Sequence, residues 1–264
     1  GSTTSLQASF FVPAQSIAVG TGGSSSATTA ASFLPGAWGG AKTQYIIRAS
    51  ELTAAGLAPG NLTSLSFETT NSGQTYQGFA VYLGHTAQTV MTTTFIASGL
   101  TQVYRGTLTD DGYTPLVGVN PLAFGTGTGS SASFNWDGSS NVVVSICWSS
   151  VPAATTALST SMIVVPAGFT SSAYEQSDSE TPAAMCAKTV ADGTGTNRPR
   201  FTFVGNKLLS ISSVTWNDGA SDIGTGNPFA ATVNAATTYT PTGTDANGCT
   251  LVGTGVSVTT IALP

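Results

Sequence analysis

The sequence predicts an all-β chain folded as antiparallel β-sandwiches. Short runs of alternating apolar and polar residues recur along its 264 residues, as expected of strands with one buried face. Clusters of Gly, Ser, Thr, Asn and Asp separate these runs, and such clusters are typical of turns. About eight short strands spaced in this way favour an all-β sandwich over a fold of alternating strands and helices.

The predicted elements are strands and polar loops, with one helical turn. An apolar run lies at 6–12, and the Gly/Ser-rich stretch 20–26 is predicted to be a loop. A strand is predicted at 44–48, followed by a helical turn with Ser50 as its N-cap and a stop at Gly56. Further strands are predicted at 62–68, 78–84, 102–106, 132–136, 141–148, 161–165 and 199–204.

The chain carries little charge for its length. Asp, Glu, Lys and Arg make up 7% of the residues, whereas about 25% is ordinary for a soluble domain. A surface of Ser, Thr, Gly and Ala suits an extracellular β protein whose copies lie side by side without like-charge repulsion. The formal net charge is −5 with only seven Lys and Arg, so we expect no nucleic-acid partner and no basic membrane-binding surface. This composition argues against a cytosolic enzyme.

The length permits one large or two smaller β domains, and we favour two. The sequence has no apolar run of about 18 residues and no positively charged leader, so we expect neither membrane insertion nor a signal peptide. We therefore interpret the chain as a mature fragment of a secreted protein. The sequence does not tell whether the chain belongs to a longer protein, or whether Gly1 and Ser2 are native residues.

Two of the three cysteines are candidates for a disulfide. Cys147 lies in an apolar strand, and Cys186 lies in a loop-like stretch before the strand at 199–204. A bridge between them would close a loop of about forty residues and contribute roughly 3 to 4 kcal/mol in an oxidising medium. Two unlinked thiols are the alternative. Cys249 lacks the spacing of a metal ligand and is left either free or bridged between molecules.

Two motifs carry a family resemblance. Residues 33–57 are FLPGAWGGAKTQYIIRASELTAAGL, and residues 134–144 are FNWDGSSNVVV. They resemble the jelly-roll-like β-sandwich modules of very large surface proteins that gliding bacteria export by type IX secretion. The resemblance covers residues 18–204, and it implies a jelly-roll-like fold and a place at the cell surface.

Two later motifs resemble the immunoglobulin-like repeats, of the polycystic-kidney-disease (PKD) type, in the same large adhesins. They are SVTWNDGASDIGTGN at 213–227 and ATTYTPTGTDANGC at 236–249. In those repeats the Cys after Asp-Ala-Asn-Gly usually pairs with one on an early strand, which is missing here. About sixty residues follow Gly205, fewer than the roughly 80 to 100 of a full sandwich. We therefore predict an N-terminal strand or linker at 1–19, a jelly-roll-like sandwich at 20–204 and a short, incomplete immunoglobulin-like domain at 205–264.

Carboxylates give one set of candidate site residues. Asp110 and Asp111 place two carboxylates, the oxygen ligands that calcium prefers, in a predicted loop. Calcium is therefore a candidate cation there. Asp218 and Asp222 are a weaker candidate pair. Asp-Gly is first of all a turn former, and neither site matches the EF-hand pattern. No other cofactor is expected.

Aromatic residues give a second set. Trp38 and Tyr45 are candidates for stacking on a sugar, whereas Trp136 and Trp148 are predicted to pack in the core. His85, the single histidine, is expected to be structural. The acidic residues Glu175 and Glu180 are a conceivable glycosidase pair, but solvated loop charge is the simpler interpretation.

These features predict a non-enzymatic structural or adhesive module of a large extracellular surface or filament-forming protein. The expected partners are copies of the chain or neighbouring repeats, forming a homo-oligomer, and cell-surface glycans are a further candidate. The alternative is a carbohydrate-binding module of a secreted hydrolase. An aromatic groove would mark the binding module, whereas extensive self-association would mark the structural one. The ligand and the symmetry of any assembly cannot be obtained from the sequence.

The apolar N-terminal segment suggests how copies would join. Residues 5–12 have strand character and no place in the first predicted sandwich. The short second domain would leave an open sheet edge, which is a template for pairing with another strand. We expect this segment, or its equivalent from a neighbouring copy, to complete that edge by strand addition.

Overall fold

The chain folds into two compact units, and one of them is built from both ends of the sequence. The computed structural model describes residues 2–28, 30–36, 38–71, 74–151 and 160–259, so Gly1 lies outside the described residues. The central unit is Ala14–Asn206, and the terminal unit combines Gly1–Pro13 with Lys207–Pro264. The predicted boundaries at 19/20 and 204/205 differ from these divisions, which fall at 13/14 and 206/207.

Short strands dominate both units. The strands are β1 (Ser2–Leu6), β2 (Phe11–Ala18), β3 (Ser24–Ser26), β4 (Gly40–Ile47), β5 (Gly60–Leu62), β6 (Ser64–Thr69), β7 (Ala80–Thr86), β8 (Leu100–Arg105), β9 (Gly118–Ala123), β10 (Phe134–Trp136), β11 (Asn141–Ser149), β12 (Met162–Pro166), β13 (Ser172–Ser177), β14 (Gly193–Gly195), β15 (Asn197–Pro199), β16 (Thr202–Leu208), β17 (Ser213–Asn217), β18 (Asp222–Thr225), β19 (Phe229–Val233), β20 (Thr237–Thr244), β21 (Thr250–Val252) and β22 (Val256–Val258). The helices are α1 (Ala49–Ala54), α2 (Pro182–Ala187) and a 3₁₀ turn at Thr109–Asp111. None of the described helices is long and apolar enough to cross a membrane.

Two sheets form the central unit. One has six strands in the order β14-β13-β4-β11-β7-β8, and the other has seven, in the order β15-β12-β6-β16-β2 with β3 on β12 and β9 on β6. Neighbouring strands run antiparallel, as in the pairing of β11 with β4 and with β7. The predicted all-β, antiparallel sandwich fold is confirmed.

The core of the central unit lies between the inner faces of these sheets. Alternate residues of β11 point inward, as the two-residue period of a strand requires, and Trp148 is one of them. Its indole Nε1 donates to the carbonyl of Phe33 at 2.8 Å, so the polar edge of the ring is satisfied although the ring is buried. The Phe33 ring packs between the two sheets, with its centroid 4.8 Å from that of Phe67 on β6 and 6.5 Å from that of Tyr45 on β4. Trp136 is buried as well, as predicted.

Strand β4 is buried on both faces. Its inward side chains belong to the main core, while outward Ile46 packs in a second apolar cluster with Met91 and Phe95. The side-chain amide of Gln44 fixes that covering segment by donating to the carbonyl of Ile96 and accepting from its N–H, both at 2.8 Å. The six-stranded sheet therefore has an outer face that is covered rather than exposed to solvent.

Helix α1 is present where a helical turn was predicted, but its cap differs. The helix begins at Ala49 with Arg48 as its N-cap, and Ser50 lies inside it. The Glu51 carboxylate accepts from the backbone N–H of Arg48 at 2.9 Å, which satisfies a donor at the helix start. Gly56 follows the helix with φ of 91°, a conformation that glycine adopts without strain.

The terminal unit has a five-stranded arrangement of β17, β18, β20, β21 and β22 and a two-stranded sheet of β1 and β19. Its core is a separate apolar cluster. That cluster includes Leu6 and Phe10 from the start of the chain and Trp216 from β17. The apolar N-terminal segment therefore contributes to the unit that contains the C-terminal motifs.

The pairing of β1 with β19 is antiparallel and runs from Ser2 opposite Val233 to Leu6 opposite Phe229. The sequence predicted that residues 5–12 would complete the C-terminal domain by strand addition. In the structure the added strand is Ser2–Leu6 of the same chain, and Phe11 already belongs to β2.

Candidate functional site

The outer face of the six-stranded sheet carries a group of polar side chains close to helix α2. Strand register places Cys147 of β11 beside Lys42 of β4, and Lys42 beside Glu175 of β13. Two residues before Cys147 on β11, Ser145 lies beside Tyr82 of β7. Residues two apart on a strand share a face, so these side chains form two rows beneath helix α2.

A disulfide attaches α2 to this face. Cys147 and Cys186 are bridged, with their Cα atoms 5.2 Å apart across a sequence separation of 39. This confirms the predicted pairing, although Cys186 lies in a short helix and not in a loop. The helix starts at Pro182, whose missing N–H is no loss at that position, and the Thr181 hydroxyl accepts from the N–H of Ala184 at 3.3 Å.

Lys42 is buried under the end of the same helix. Its Nζ donates to the carbonyl of Cys186 at 2.7 Å and to that of Lys188 at 2.6 Å, and it lies 4.9 Å from the centroid of the Phe95 ring. The last carbonyls of a helix have no intrahelical partner, and an ammonium group stabilises them. Burial lowers the pKa of Lys42 from 10.5 to about 8. A lone lysine within an otherwise uncharged strand is a signal of this role that is visible in the sequence, and our predictions did not use it.

Two acidic residues that precede α2 share the ammonium group of Lys188, the residue that follows it. Lys188 Nζ lies 3.2 Å from a carboxylate oxygen of Glu175 and 2.8 Å from one of Glu180. Burial raises the pKa of Glu175, and the neighbouring Asp192 raises it further. Both members of the conceivable glycosidase pair are thus engaged in ion pairs at the C-terminal end of α2, and Glu175 belongs to β13. Their arrangement can hold the helix on the sheet.

A cavity of about 460 Å³ opens on the other side of α2. Tyr82, Leu100 and Arg105 from the sheet line it together with Pro182 of α2. Burial raises the pKa of the Tyr82 phenol, and the charge of Arg105 partly offsets this. The volume lies within the range of about 300 to 1,000 Å³ typical of small-molecule sites. An aromatic ring beside a guanidinium can bind a sugar ring and a carboxylate.

The candidate calcium residues Asp110 and Asp111 lie in the 3₁₀ turn next to this cavity. Both have left-handed backbones, with φ of 57° and 52°. The Asp111 carboxylate accepts from Arg105 Nε at 2.7 Å, so a cation at this carboxylate would compete with an existing ion pair. Within the described residues, no group of three or more His, Cys, Asp or Glu side chains is arranged to hold a metal ion. Calcium at this turn stays a prediction.

The structure separates the two candidate stacking residues. Trp38 is 40% exposed, whereas Tyr45 is fully buried on β4 with its ring 5.5 Å from that of Phe201. The expectation for Tyr45 is corrected: a ring inside the sandwich offers no face to a sugar in solvent. The prediction failed because Tyr45 lies on the face of β4 that points into the main core, and the alternation of residues does not reveal which face of a strand is inward.

The remaining aspartates of interest form turns. Asp137 accepts from the Ser140 hydroxyl at 2.6 Å and from the N–H groups of Ser140 and Ser139 at 2.7 and 2.8 Å, and these bonds hold its pKa well below its usual range. Asp218 accepts from the N–H groups of Ala220 and Ser221, which lowers its pKa too. The turn interpretation explains both residues without a cation.

Comparisons with protein-family models, with curated proteins and with solved structures find no match for this chain. Sequence reasoning identified the disulfide but missed Tyr82 and Arg105, because only the folding of β7 beside β8 brings them to one cavity. Cys249 is exposed and unbridged.

Proposed function

We propose that this chain is a non-enzymatic structural and adhesive module of a large extracellular surface or filament-forming protein. The observation that carries the proposal is the pairing of β1 with β19, since it makes β19 of the terminal unit an acceptor for a strand from a distant part of the sequence. Copies of the chain are the partners of such a module, and attachment of the cell is its task.

Three further features support this proposal. The bridge between Cys147 and Cys186 suits an oxidising compartment outside the cytoplasm. The low charge of the surface allows copies to pack closely without repulsion. The jelly-roll-like and PKD-type motifs resemble modules of large type IX-secreted adhesins of gliding bacteria.

Electron microscopy and light scattering test the proposal on the purified chain. We expect oligomers or fibres whose mass increases with protein concentration and changes little when salt is added, because few charges are available to hold or oppose the contacts. Single particles at all concentrations up to the millimolar range would contradict self-assembly as the function.

A carbohydrate-binding module of a secreted hydrolase is the second candidate, and the cavity beside α2 favours it. A glycan array that includes sugars with carboxylates is the appropriate test. Binding at micromolar or lower concentration that is lost in Tyr82→Ala, and retained in the control Trp38→Ala, would favour this function. Loss in Trp38→Ala alone would place the site at the exposed tryptophan instead.

A further inference from the structure

The N-terminal segment contributes buried side chains to the terminal unit. Leu6 is 2% exposed and Phe10 is 3% exposed, and both belong to the apolar cluster around Trp216. The Phe10 ring packs against Gly243 of β20. A Cβ atom added at Gly243 would lie only 2.9 Å from the Phe10 ring, so the ring occupies the space that a side chain there would need. The segment therefore fills the interior of this unit and does not merely lie on it.

Backbone and side-chain bonds fix the segment in register. Five consecutive residues of β1 pair with β19. After β1, the Asn227 side chain accepts from the N–H of Ala8 at 2.9 Å and donates to the carbonyl of Ala8 at 2.7 Å. These bonds recognise main-chain atoms of β1 and of Ala8 just after it, whichever molecule supplies them.

The junction between the segment and the central unit holds an unfavourable backbone conformation. Ala14, which lies within β2 and is the first residue of the central unit, has φ of 54°, a left-handed conformation that is costly for a residue with a Cβ atom. A different path for the chain at this residue would release that strain. Junctions of this kind favour exchange of an element between copies, because all the native contacts can re-form between chains.

We infer that the Gly1–Pro13 segment exchanges between copies, so that β1 of one chain pairs with β19 of another and closes its terminal unit. The partner is a second copy of this chain. Repeated in one direction, the exchange makes an open chain of molecules, whereas reciprocal exchange makes a closed dimer. The inference rests on the proposed function and adds the element that joins the copies.

Cysteine crosslinking between two differently substituted chains tests the exchange. Thr3 and Thr232 lie opposite each other on β1 and β19, and both are exposed. One chain carries Thr3→Cys and the other carries Thr232→Cys, and both also carry Cys249→Ser. The two chains are mixed and unfolded at acid pH, where thiol exchange is slow. They are then refolded together at high concentration and oxidised. We expect covalent heterodimers at least tenfold above the level in a control mixture in which Ser257→Cys replaces Thr232→Cys. Ser257 is exposed on β22 and pairs with β20.

The outcomes separate the two ideas. Heterodimers at the control level, together with an intrachain bridge in the doubly substituted Thr3→Cys/Thr232→Cys chain, would overturn the exchange. Electron microscopy of the same sample then tests the proposed function separately. Assemblies that form without the crosslink would support self-assembly through an interface other than β1 and β19. Single particles would contradict both the strand exchange and the proposed function.

Discussion

The central unit closes with a contiguous stretch of chain, whereas the terminal unit needs both ends of the sequence. The central unit has two large sheets, a disulfide and a sheet face covered by α2. The terminal unit has a smaller core, an unbridged Cys249 and a strand that comes from more than two hundred residues away in the sequence, as the Ala8–Asn227 separation of 219 illustrates. The central unit is stabilised by a disulfide and by contacts within one continuous stretch of chain. The terminal unit depends on an N-terminal segment that is held by noncovalent contacts alone.

Removing the N-terminal strand should have the largest effect. Deletion of residues 1–10 removes Leu6 and Phe10 from the core, and losing one large buried side chain already costs about 2 to 5 kcal/mol. We expect the terminal unit to unfold and the central unit to survive. Limited proteolysis with mass spectrometry should give a resistant fragment close to 14–206. Thr3→Ala, an exposed change on the same strand, serves as the control and should leave both units resistant.

Loss of the disulfide should affect the central unit alone. Cys147→Ser/Cys186→Ser should lower its free energy of unfolding by roughly 3 to 4 kcal/mol, because the open chain regains the entropy that the bridge removes. Urea unfolding in a Trp216→Phe background reports on this unit, since that substitution removes the tryptophan of the terminal unit. Cys249→Ser is the matched control. An equal loss of stability in the control would contradict a division between the units.

Lys42 should give the central unit a distinctive pH dependence. Its pKa is about 8 when folded and 10.5 ordinarily, so below pH 8 both states carry the charge and its burial opposes folding. Between pH 8 and 10.5 the folded amine loses its proton first, and stability should rise. Chemical unfolding from pH 7 to 10 should show this rise in the wild type and in Lys207→Met, which changes an exposed lysine, but not in Lys42→Met. An identical slope in Lys42→Met would contradict this role of Lys42.

The turn aspartates should give the smallest effects, one in each unit. Asp137→Ala removes two backbone hydrogen bonds in the central unit and should destabilise it by about 1 kcal/mol. Asp218→Ala should weaken the terminal unit less. The folded pKa of each carboxyl is lowered, so both contributions are present above pH 4 and should disappear as pH falls below it. Thermal unfolding of each variant from pH 3 to 7 checks this, and a growing difference toward low pH would contradict it.

The sequence was most informative where the signal was local. Alternating residues and turn clusters predicted the all-β class, and the apolar strand around Cys147 supported the correct disulfide. The strand character of the N-terminal segment was visible too. Its partner was not, because the pairing of residues 2–6 with 229–233 depends on the closure of the whole chain.

The direction of one strand face caused the main failure at the site. Tyr45 alternates with polar neighbours, but its ring points into the main core of the sandwich and not toward solvent. On the opposite face of β4, α2 and the segment around Met91 and Phe95 cover the strand, and Lys42 is a buried helix cap there. Tyr82 and Arg105 were missed because their cavity exists only where α2 is attached to the sheet.

Complementation by a peptide tests the central claim most directly. A chain lacking residues 1–13 is mixed with a synthetic peptide of those residues, and hydrogen exchange at the backbone amides of β19 is followed. We predict that the peptide restores protection to Phe229–Val233, and that the same peptide with Leu6→Asp does not, because the core excludes an unpaired carboxylate. Full protection of β19 without peptide, or equal protection by both peptides, would contradict the claim that the N-terminal strand closes this unit.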